Sequence, residues 1–551
     1  MNITRCLRTL AFGVGAVLVG VVTGCGGGGG SAVLPPSIVV QPASVSVPAG
    51  APATFTVTAS GDAPLSYQWK RDGAAIAGAT AANYTLAATA LGDNGAGFSV
   101  NVSNPAGALS STAATLSVTA VARSWGAAVL LSSGDTLHTP GDPHVAIDTA
   151  GNAISVWQEA VGLSVRNAVW ASRYGAGSGW SAAATIDDPI GNSAAPQLAM
   201  APGGVAVASF VQSTSNNGGG VRMLATRFDG TAWAARSRID VLDASIDADH
   251  RLAIAADGAA TVAFNQSDNV TGRRATASGS SAAGAWATPE VIGATRSYEP
   301  QVALAANGDA VMAWLVTDTP STSSLWASRR LGAAWSVPVR IVNGGREMAF
   351  LRLHADAAGD AIAVWQERPT LRTEVRATRL AAASGAWSVP VALNDGTLQA
   401  QQPELAMRVT GDSIVVWSEA SDSGQASGLV MNRYVASDAA WSGPARVQPT
   451  GASAGVSPSL ALDGSGNAIA VWLQGASANP LRLEVWAANF DPVAGLWATP
   501  TKLMTDPAAY AVGGQSQTPA IAINAAGDAV VVWFQRTDAP FALGIWARVY
   551  R

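Results

Sequence analysis

The chain is poor in cysteine: only Cys6 and Cys25 occur in 551 residues. Cys6 lies in an N-terminal segment in which Arg5 and Arg8 precede an apolar run, 10–22, without charged or polar side chains. This run is shorter than the roughly 20 apolar residues that span a bilayer, and its charged start is typical of an export signal. If the signal is removed, one cysteine remains. The mature chain then forms no internal disulfide and depends on packing for its stability.

Charged side chains are also scarce, at 13% of the chain, and the formal net charge is −5. No basic run is present, which argues against a nucleic-acid partner. The sequence contains no nucleophile elbow, no phosphate loop and no Cys-x-x-Cys motif, so neither catalysis nor a bound cofactor is expected.

Histidine occurs at only four positions. His138 and His144 flank the segment HTPGDPH, but two histidines without a carboxylate cluster do not predict a metal site. His250 and His354 take the place of a proline and an alanine in the repeats described below, which predicts scaffold roles for both.

The segment Val22-Thr23-Gly24-Cys25 resembles the lipobox of bacterial lipoproteins, in which small residues precede a cysteine that is lipidated and becomes the mature N-terminus. The resemblance implies a signal peptide over 1–24, a lipidated Cys25 with a flexible linker over 25–36, and membrane contact through the anchor. Gly26, in place of aspartate, implies the outer membrane. The alternative is an ordinary signal peptide with a chance cysteine. The side of the outer membrane, periplasmic or extracellular, stays open.

Residues 37–119 contain short alternating runs such as ATFTVTAS and LSYQWKRDG, separated by turn residues, which predict a β domain. Together with LGDNGAGFSVNVSNPAG, these runs resemble bacterial immunoglobulin-like domains. The resemblance makes Trp69 a core residue, places Phe98 after the corner before a late strand, and puts Val57 and Val100 where a disulfide often lies. It implies a sandwich that serves as a spacer or adhesion module.

The remaining residues, 123–551, repeat one motif eight times, with copies starting 50 to 61 residues apart. The copy at Pro458 reads PSLALDGSGNAIAVWLQ, and every copy has a glycine eight residues and an aromatic residue fourteen residues after its start. The starts are Pro143, Pro196, His250, Pro300, Leu351, Pro403, Pro458 and Pro519. The aromatic residues are Trp157, Phe210, Phe264, Trp314, Trp365, Trp417, Trp472 and Trp533. Of the 19 tryptophans, all but Trp69 fall on repeat positions, which predicts packing roles.

Each copy contains four short β-runs, as a β-propeller blade does. The eighth copy ends after its third run, and RSWGAAVLL, from Arg123, supplies a fourth. The sequence therefore predicts an all-β chain: an immunoglobulin-like sandwich followed by an eight-bladed β-propeller closed by an N-terminal strand. Seven blades are the alternative. The rhythm resembles sialidase-like, or Asp-box, propellers, but the form Ser-x-Asp-x-Gly-x-x-x-Trp is not intact. The resemblance thus implies the architecture and not the activity.

Polar residues also recur in the copies, and recurrence favours a structural role. Seven copies have a glutamate or glutamine two residues after the aromatic, and we expect these side chains to bond the backbone of the neighbouring blade. They are Glu159, Gln212, Gln266, Glu367, Glu419, Gln474 and Gln535, with Val316 in the remaining copy. Arginines that recur on the third run are predicted to be structural too: Arg173, Arg227, Arg329, Arg379 and Arg433.

Function is expected where the copies differ, in long loops predicted to share one face of the ring. Aromatic and charged residues there suit sugars or protein partners. The candidate ligand-binding residues are Arg296, Tyr298, Glu299, Arg346, Glu347, Phe350, Tyr510 and Phe541.

These observations predict a monomeric, lipid-anchored binding protein of the cell envelope, whose propeller loops bind a glycan or an envelope or extracellular protein. One alternative is a sialidase-like glycoside hydrolase, in which Tyr298 and Glu299 form an acid pair. The other is a structural scaffold in an envelope complex.

Overall fold

The computed structural model describes 33–87, 89, 91–119, 123–132, 139–161, 166–214, 220–240, 245–268, 272–368, 372–423, 426–448, 455–476, 479–504, 509–511, 518–538 and 541–551. The chain divides into two compact units, Met1–Ala120 and Val121–Arg551. In the described residues it is all-β, apart from one 3₁₀ turn at Leu91–Asp93. No helix in this part of the chain is long and apolar enough to cross a membrane.

The first unit is built from ten strands in three described sheets. The strands are β1 (Ser37–Val40), β2 (Val45–Pro48), β3 (Ala53–Thr56), β4 (Thr58–Ser60), β5 (Ser66–Arg71), β6 (Ala74–Ala75), β7 (Asn83–Leu86), β8 (Gly97–Asn104), β9 (Gly107–Ser110) and β10 (Ala114–Thr119). The largest sheet has the order β2-β10-β8-β5-β6, with β9 on β8, while β1 pairs with β4 and β3 with β7.

The core of this unit is aromatic. Trp69 is fully buried, as the sequence predicts, and its indole donates to Ala81 O at 3.0 Å. Phe98 stacks on Phe55 with ring centroids 4.4 Å apart. Val57 and Val100 are buried in the same cluster. Both valines therefore belong to the apolar core of this unit.

The strands of the second unit form eight antiparallel sets in the described residues. Set 1 is β12 (Gly141–Ile147), β13 (Ala153–Ala160), β14 (Asn167–Gly175), β15 (Gly179–Trp180) and β16 (Ala184–Thr185). Set 2 is β17 (Ser193–Met200), β18 (Ala206–Ser213), β19 (Val221–Phe228) and β20 (Ser237–Arg238). Set 3 is β21 (Ser245–Ile254), β22 (Ala260–Asp268), β23 (Gly272–Gly279) and β24 (Glu290–Thr295). Set 4 is β25 (Ser297–Leu304), β26 (Ala310–Thr319), β27 (Thr322–Leu331) and β28 (Ala334–Trp335).

Sets 4 and 5 form one nine-stranded sheet, because β29 (Val339–Ala355) pairs first with β27 and then with β30. Set 5 continues with β30 (Ala361–Arg368), β31 (Glu374–Ala381), β32 (Ala386–Trp387) and β33 (Val391–Ala392). Set 6 is β34 (Gln399–Met407), β35 (Ser413–Ala420), β36 (Ala426–Val435), β37 (Ala440–Trp441) and β38 (Ala445–Arg446). Set 7 is β39 (Gly455–Leu462), β40 (Ala468–Ala476), β41 (Asn479–Asp491), β42 (Leu496–Trp497) and β43 (Thr501–Lys502). Set 8 is β44 (Ala509–Tyr510), β45 (Ala520–Ile523), β46 (Ala529–Asp538) and β47 (Phe541–Tyr550), to which β11 (Val129–Leu130) is added.

The segment that starts at Arg123 completes set 8. Strand β11 pairs antiparallel with β47, and Trp125 bridges to Tyr550, with ring centroids 4.9 Å apart. The first strands of successive sets also contact one another, from β12 through β17, β21, β25, β29, β34 and β39 to β45, which returns to β12. These strands therefore follow one another in a closed circle, and the added strand pairs what would otherwise be an exposed edge.

An apolar cluster fills each of the eight junctions between neighbouring sets and contains the repeated aromatic residue of the later set. Side chains two residues after each copy start also lie in these clusters: Val145, Leu198, Leu252, Val302, Leu353, Leu405, Leu460 and Ile521. The eight repeated aromatic residues are all fully buried.

The repeated glutamates and glutamines are structural, but their partners differ from the prediction. In five sets the side chain accepts the indole N–H of its own set's tryptophan, as Glu159 does from Trp157 at 2.8 Å. Gln212, which follows a phenylalanine, donates instead to the backbone carbonyl of Asp188 at 2.8 Å. A buried indole N–H needs an acceptor, and it lies close to the glutamate or glutamine two residues later. This side chain therefore bonds the indole and not the backbone of the neighbouring set.

The recurring arginines link neighbouring sets, as predicted. Arg227 donates to Gly258 O and Ala282 O of set 3, each at 2.6 Å. Arg329 donates to Ala382 O of set 5 at 3.0 Å. The accepting carbonyls are in turns, where no neighbouring strand bonds them, so the guanidinium groups supply their donors.

Candidate functional site

The predicted candidates Arg296 and Tyr298 line a groove between sets 3 and 4. Its volume is about 770 Å³. The lining residues are Gly272, Arg273, Thr295, Arg296, Tyr298, Thr317 and Pro320. They come from the start of β23, from the end of β24 and the start of β25, and from the end of β26 with the hairpin that follows it. The groove therefore lies at the end of the sets where the second strand leads into the third and where one set leads into the next.

The two arginines of the groove differ in their partners. Arg273 Nε lies 2.7 Å from Asp247 Oδ2, and about half of its side chain stays exposed. Arg296 is exposed, has a φ of 67°, and donates from Nη1 to Asp318 O at 3.5 Å. Asp318 pairs with Arg340 instead, at 3.0 Å. In the described part of the chain, no carboxylate pairs with Arg296.

Tyr298 forms a wall of the groove. Its hydroxyl bonds to Ser323 Oγ and donates to Met348 O at 3.0 Å. Burial raises the pKa of Tyr298 to about 12. The ring packs against the cluster at the junction of sets 4 and 5. The phenol therefore remains protonated at neutral pH and is held in place by its neighbours.

Glu299 is also engaged. Its Oε2 accepts from Leu351 N of set 5 at 2.7 Å, and burial raises the pKa of this carboxyl. Both members of the predicted acid pair thus make contacts that hold sets 4 and 5 together.

The structure does not bring Arg346, Glu347 and Phe350 into the groove. Arg346 pairs with the buried Glu367 at 2.7 Å, and Glu347 is exposed opposite Arg368. Phe350 is half-buried at a bulge of β29, with a φ of 56°. These residues lie instead in the middle of β29, where its pairing passes from β27 of set 4 to β30 of set 5.

Tyr510 lies between two guanidinium groups. The Cζ atoms of Arg482 and Arg536 are 4.9 Å and 5.6 Å from its ring centroid, distances typical of cation–π contacts. The candidates Cys25 and Phe541, the latter by its side chain, lie outside what the structure describes, and so does His138.

The expectation that the candidate aromatic residues lie in loops was wrong. Tyr298, Phe350 and Tyr510 are all in strands, namely β25, β29 and β44, and Phe541 begins β47. The strands are longer than the repeat suggests. A bulge near the copy start lets the pairing of β25 and β29 continue upstream of it.

Sequence reasoning missed that polar side chains from several sets come together on what we call the inner edge, which consists of the residues one before, and one and three after, each copy start. Arg352 donates to Glu404 of set 6 from Nε at 3.0 Å and from Nη2 at 2.6 Å. His144 of set 1 lies 3.3 Å from Gln197 of set 2. The residue after each copy start varies in charge from copy to copy, but this variation alone does not show which residues pair.

The inner edge is electrostatically coupled across several sets. Burial lowers the pKa of Arg251, which lies in the field of Asp249, Arg352, Glu404 and Glu299. Burial, with a smaller effect of Arg251, lowers the pKa of His144 to about 3. Side chains from sets 1, 3, 4, 5 and 6 therefore converge on one region.

One carboxyl group and one imidazole group complete the inner edge, those of Asp142 and His354. Burial alone raises the pKa of Asp142 to about 6. His250 is buried and bonds Ser209 Oγ at 3.0 Å, as predicted for a scaffold residue. His354 is accessible to solvent at the inner edge, although desolvation by its surroundings lowers its pKa. Among the residues that the structure describes, no group of three histidine, cysteine or acidic side chains is placed to hold a metal ion.

No protein-family model and no curated protein matches the chain. Solved structures resemble it at low identity. One is a protein of unknown function from Dyadobacter fermentans: 11% identity, 78% of this chain and 99% of that chain covered, TM-score 0.37. Another is a lectin from Burkholderia pseudomallei: 13% identity, 68% and 100% covered, TM-score 0.44. A third is a polysaccharide lyase: 11% identity, 68% and 93% covered, TM-score 0.41.

Proposed function

We propose that the chain is a lipid-anchored protein of the bacterial outer membrane that binds a glycan without cleaving it. In this proposal Cys25 carries the lipid, 37–119 form an immunoglobulin-like spacer, and 123–551 form an eight-bladed β-propeller. The closed circle of first strands and the eight apolar junctions support the blade count.

The groove between sets 3 and 4 is the observation that carries the binding proposal. It is open, about 770 Å³ in volume, and combines a tyrosine wall, two threonines and two arginines. Hydroxyl and guanidinium groups donate to sugar oxygens, and an aromatic wall offers an apolar surface to a sugar ring. A groove of this size holds a few sugar units.

A binding role suits the groove better than hydrolysis. Glycoside hydrolysis needs two carboxyl groups beside the scissile bond. The groove lining has none in the described residues, and the carboxyl of Glu299 is held by Leu351 N. The guanidinium of Arg296, by contrast, is exposed, and its hydrogen bond to Asp318 O is long, at 3.5 Å, so that it can pair with a ligand.

The test uses the mature chain with Cys25→Ser, applied to a panel of bacterial glycans, with released sugar measured in parallel. We expect binding without release. Replacing Arg296 with alanine should weaken binding about 10- to 100-fold, the range for loss of a charge-assisted hydrogen bond. Arg236→Ala, which removes an exposed arginine of set 2 outside the groove, is the control. Equal losses in both variants, or sugar release, would contradict the proposal.

Lipid anchoring has a separate test. The unmodified chain should incorporate a radiolabelled fatty acid and sediment with outer membranes, and Cys25→Ser should do neither. A Cys25→Ser chain that stays in the membrane fraction would point to retention of the apolar segment 10–22 instead.

A further inference from the structure

A second pair of arginines around a tyrosine lies at the junction of sets 7 and 8. Tyr510 is on β44, which leads from set 7 to the first strand of set 8. Its ring lies against Arg482 of set 7 and Arg536 of set 8. The neighbouring residue Ala511 bonds Leu483 O of set 7 at 2.7 Å. This strand therefore holds both guanidinium groups at one junction.

The two arginine–tyrosine sites use neighbouring, not equivalent, positions of their sets. Arg273 lies at the start of the third strand of set 3, and Arg482 lies in the first half of β41, the third strand of set 7. Thr317 and Arg536 each lie three residues after the repeated tryptophan of sets 4 and 8. Both sites are thus at the end of the sets where the second strand leads into the third.

The circle of sets places the two sites opposite one another. One site lies at the junction of sets 3 and 4 and the other at the junction of sets 7 and 8. They are four sets apart in a circle of eight. A long chain that crosses this end of the circle along a diameter would therefore reach both.

We infer that the protein binds a long acidic polysaccharide at these two sites at once. The inference rests on the proposed function and specifies its ligand. Guanidinium groups pair well with carboxylate and sulfate groups. An acidic polymer carries such groups at regular intervals, and its second contact gains from the high effective concentration that the first contact creates.

The probes are a long polygalacturonate and a short oligomer of the same sugar, with neutral dextran as a control, titrated into the mature Cys25→Ser chain by calorimetry. We expect the short oligomer to bind at two sites per chain and dextran not to bind. The long polymer should bind about 10²- to 10⁴-fold more tightly than the oligomer, as expected for two linked contacts.

The variants are Arg296→Ala at the first site and Arg482→Gln at the second, with Arg236→Ala as the control. Each single variant should leave one oligomer site and bring the affinity for the long polymer down to that of the oligomer. The double variant should bind neither. An unchanged thermal unfolding midpoint identifies folded variants, and Arg482→Lys, which keeps the charge, should retain binding at the second site.

The outcomes separate this inference from the proposed function. One oligomer site, lost in Arg296→Ala and unchanged in Arg482→Gln, would overturn bivalency and leave the glycan-binding groove intact. Equal affinity for long and short probes would also overturn bivalency. Binding of neutral glycans only would overturn the acidic ligand, and binding of no glycan would overturn both.

Discussion

Along the first strands of the eight sets, neighbouring residues have very different environments. Side chains two residues after the copy start lie in apolar junctions and are all aliphatic. Those one residue after the start face the inner edge and include a histidine, two arginines, a glutamate and two glutamines. The junctions must be filled in the same way eight times, because each set packs against the next with the same backbone. The inner edge meets no such requirement.

The largest effect is expected at a junction. Trp365 is fully buried between sets 4 and 5, and its indole donates to Glu367 at 2.9 Å. Trp365→Ala leaves a cavity and removes one of the two donors to the buried Glu367 carboxylate, and we expect a loss of about 3–5 kcal/mol in the free energy of unfolding. Urea unfolding of the mature chain measures it. An unchanged midpoint would refute the junction role of this residue.

A pair of adjacent residues tests the comparison within one strand. Leu353 is buried at the junction of sets 4 and 5, and His354 is exposed at the inner edge. Leu353→Ala should lower the free energy of unfolding by about 2–5 kcal/mol. His354→Ala should change it by less than about 0.5 kcal/mol. The comparison fails if the two substitutions have similar effects.

The junctions were predictable from sequence, and the inner edge was not. Glycine and aromatic residues recur at fixed offsets, so their shared environment is visible without coordinates. Arg352 and Glu404 are 52 residues apart, and neither has a counterpart at the same offset in most copies. Their pairing becomes apparent only when the closed circle brings sets 5 and 6 together.

The groove was predicted in part, for the same reason. Variation among copies singled out Arg296 and Tyr298. Arg273, by contrast, lies on β23 of set 3. It becomes part of the groove only because sets 3 and 4 pack against each other. The engagement of Glu299 with Leu351 N likewise depends on a backbone contact between sets, which no side-chain pattern records.

The inner edge predicts a pH dependence of stability. The pKa of Asp142 is about 6 in the folded chain, above the value of about 3.9 for an unperturbed aspartate. Between these pH values the folded state holds a proton that the unfolded state has lost, so the contribution of Asp142 to stability decreases as the pH rises from about 4 to about 6. Above pH 6 the ionised carboxylate destabilises the folded state.

Asp142→Asn removes this titration. The variant should be more stable than the original chain at pH 7, by at most about 3 kcal/mol, and nearly equal to it at pH 4. The difference between the two chains is measured at each pH, because His144 and His250, whose pKa values are lowered by burial, titrate in both chains and cancel. A difference that is constant from pH 4 to pH 7 would rule out the raised pKa.

The smallest effect is expected where one junction departs from the other seven. Trp314 is buried in set 4, and Val316 stands where seven sets have a glutamate or glutamine. The indole nitrogen of Trp314 has no hydrogen-bond partner among the described residues. Val316→Gln supplies the acceptor that Gln474 provides to Trp472 at 3.1 Å in set 7. We expect a gain of about 1 kcal/mol in the free energy of unfolding. Val316→Leu, which cannot accept a hydrogen bond, should bring no gain, and equal gains from both substitutions would mean that packing, not the missing acceptor, distinguishes this junction.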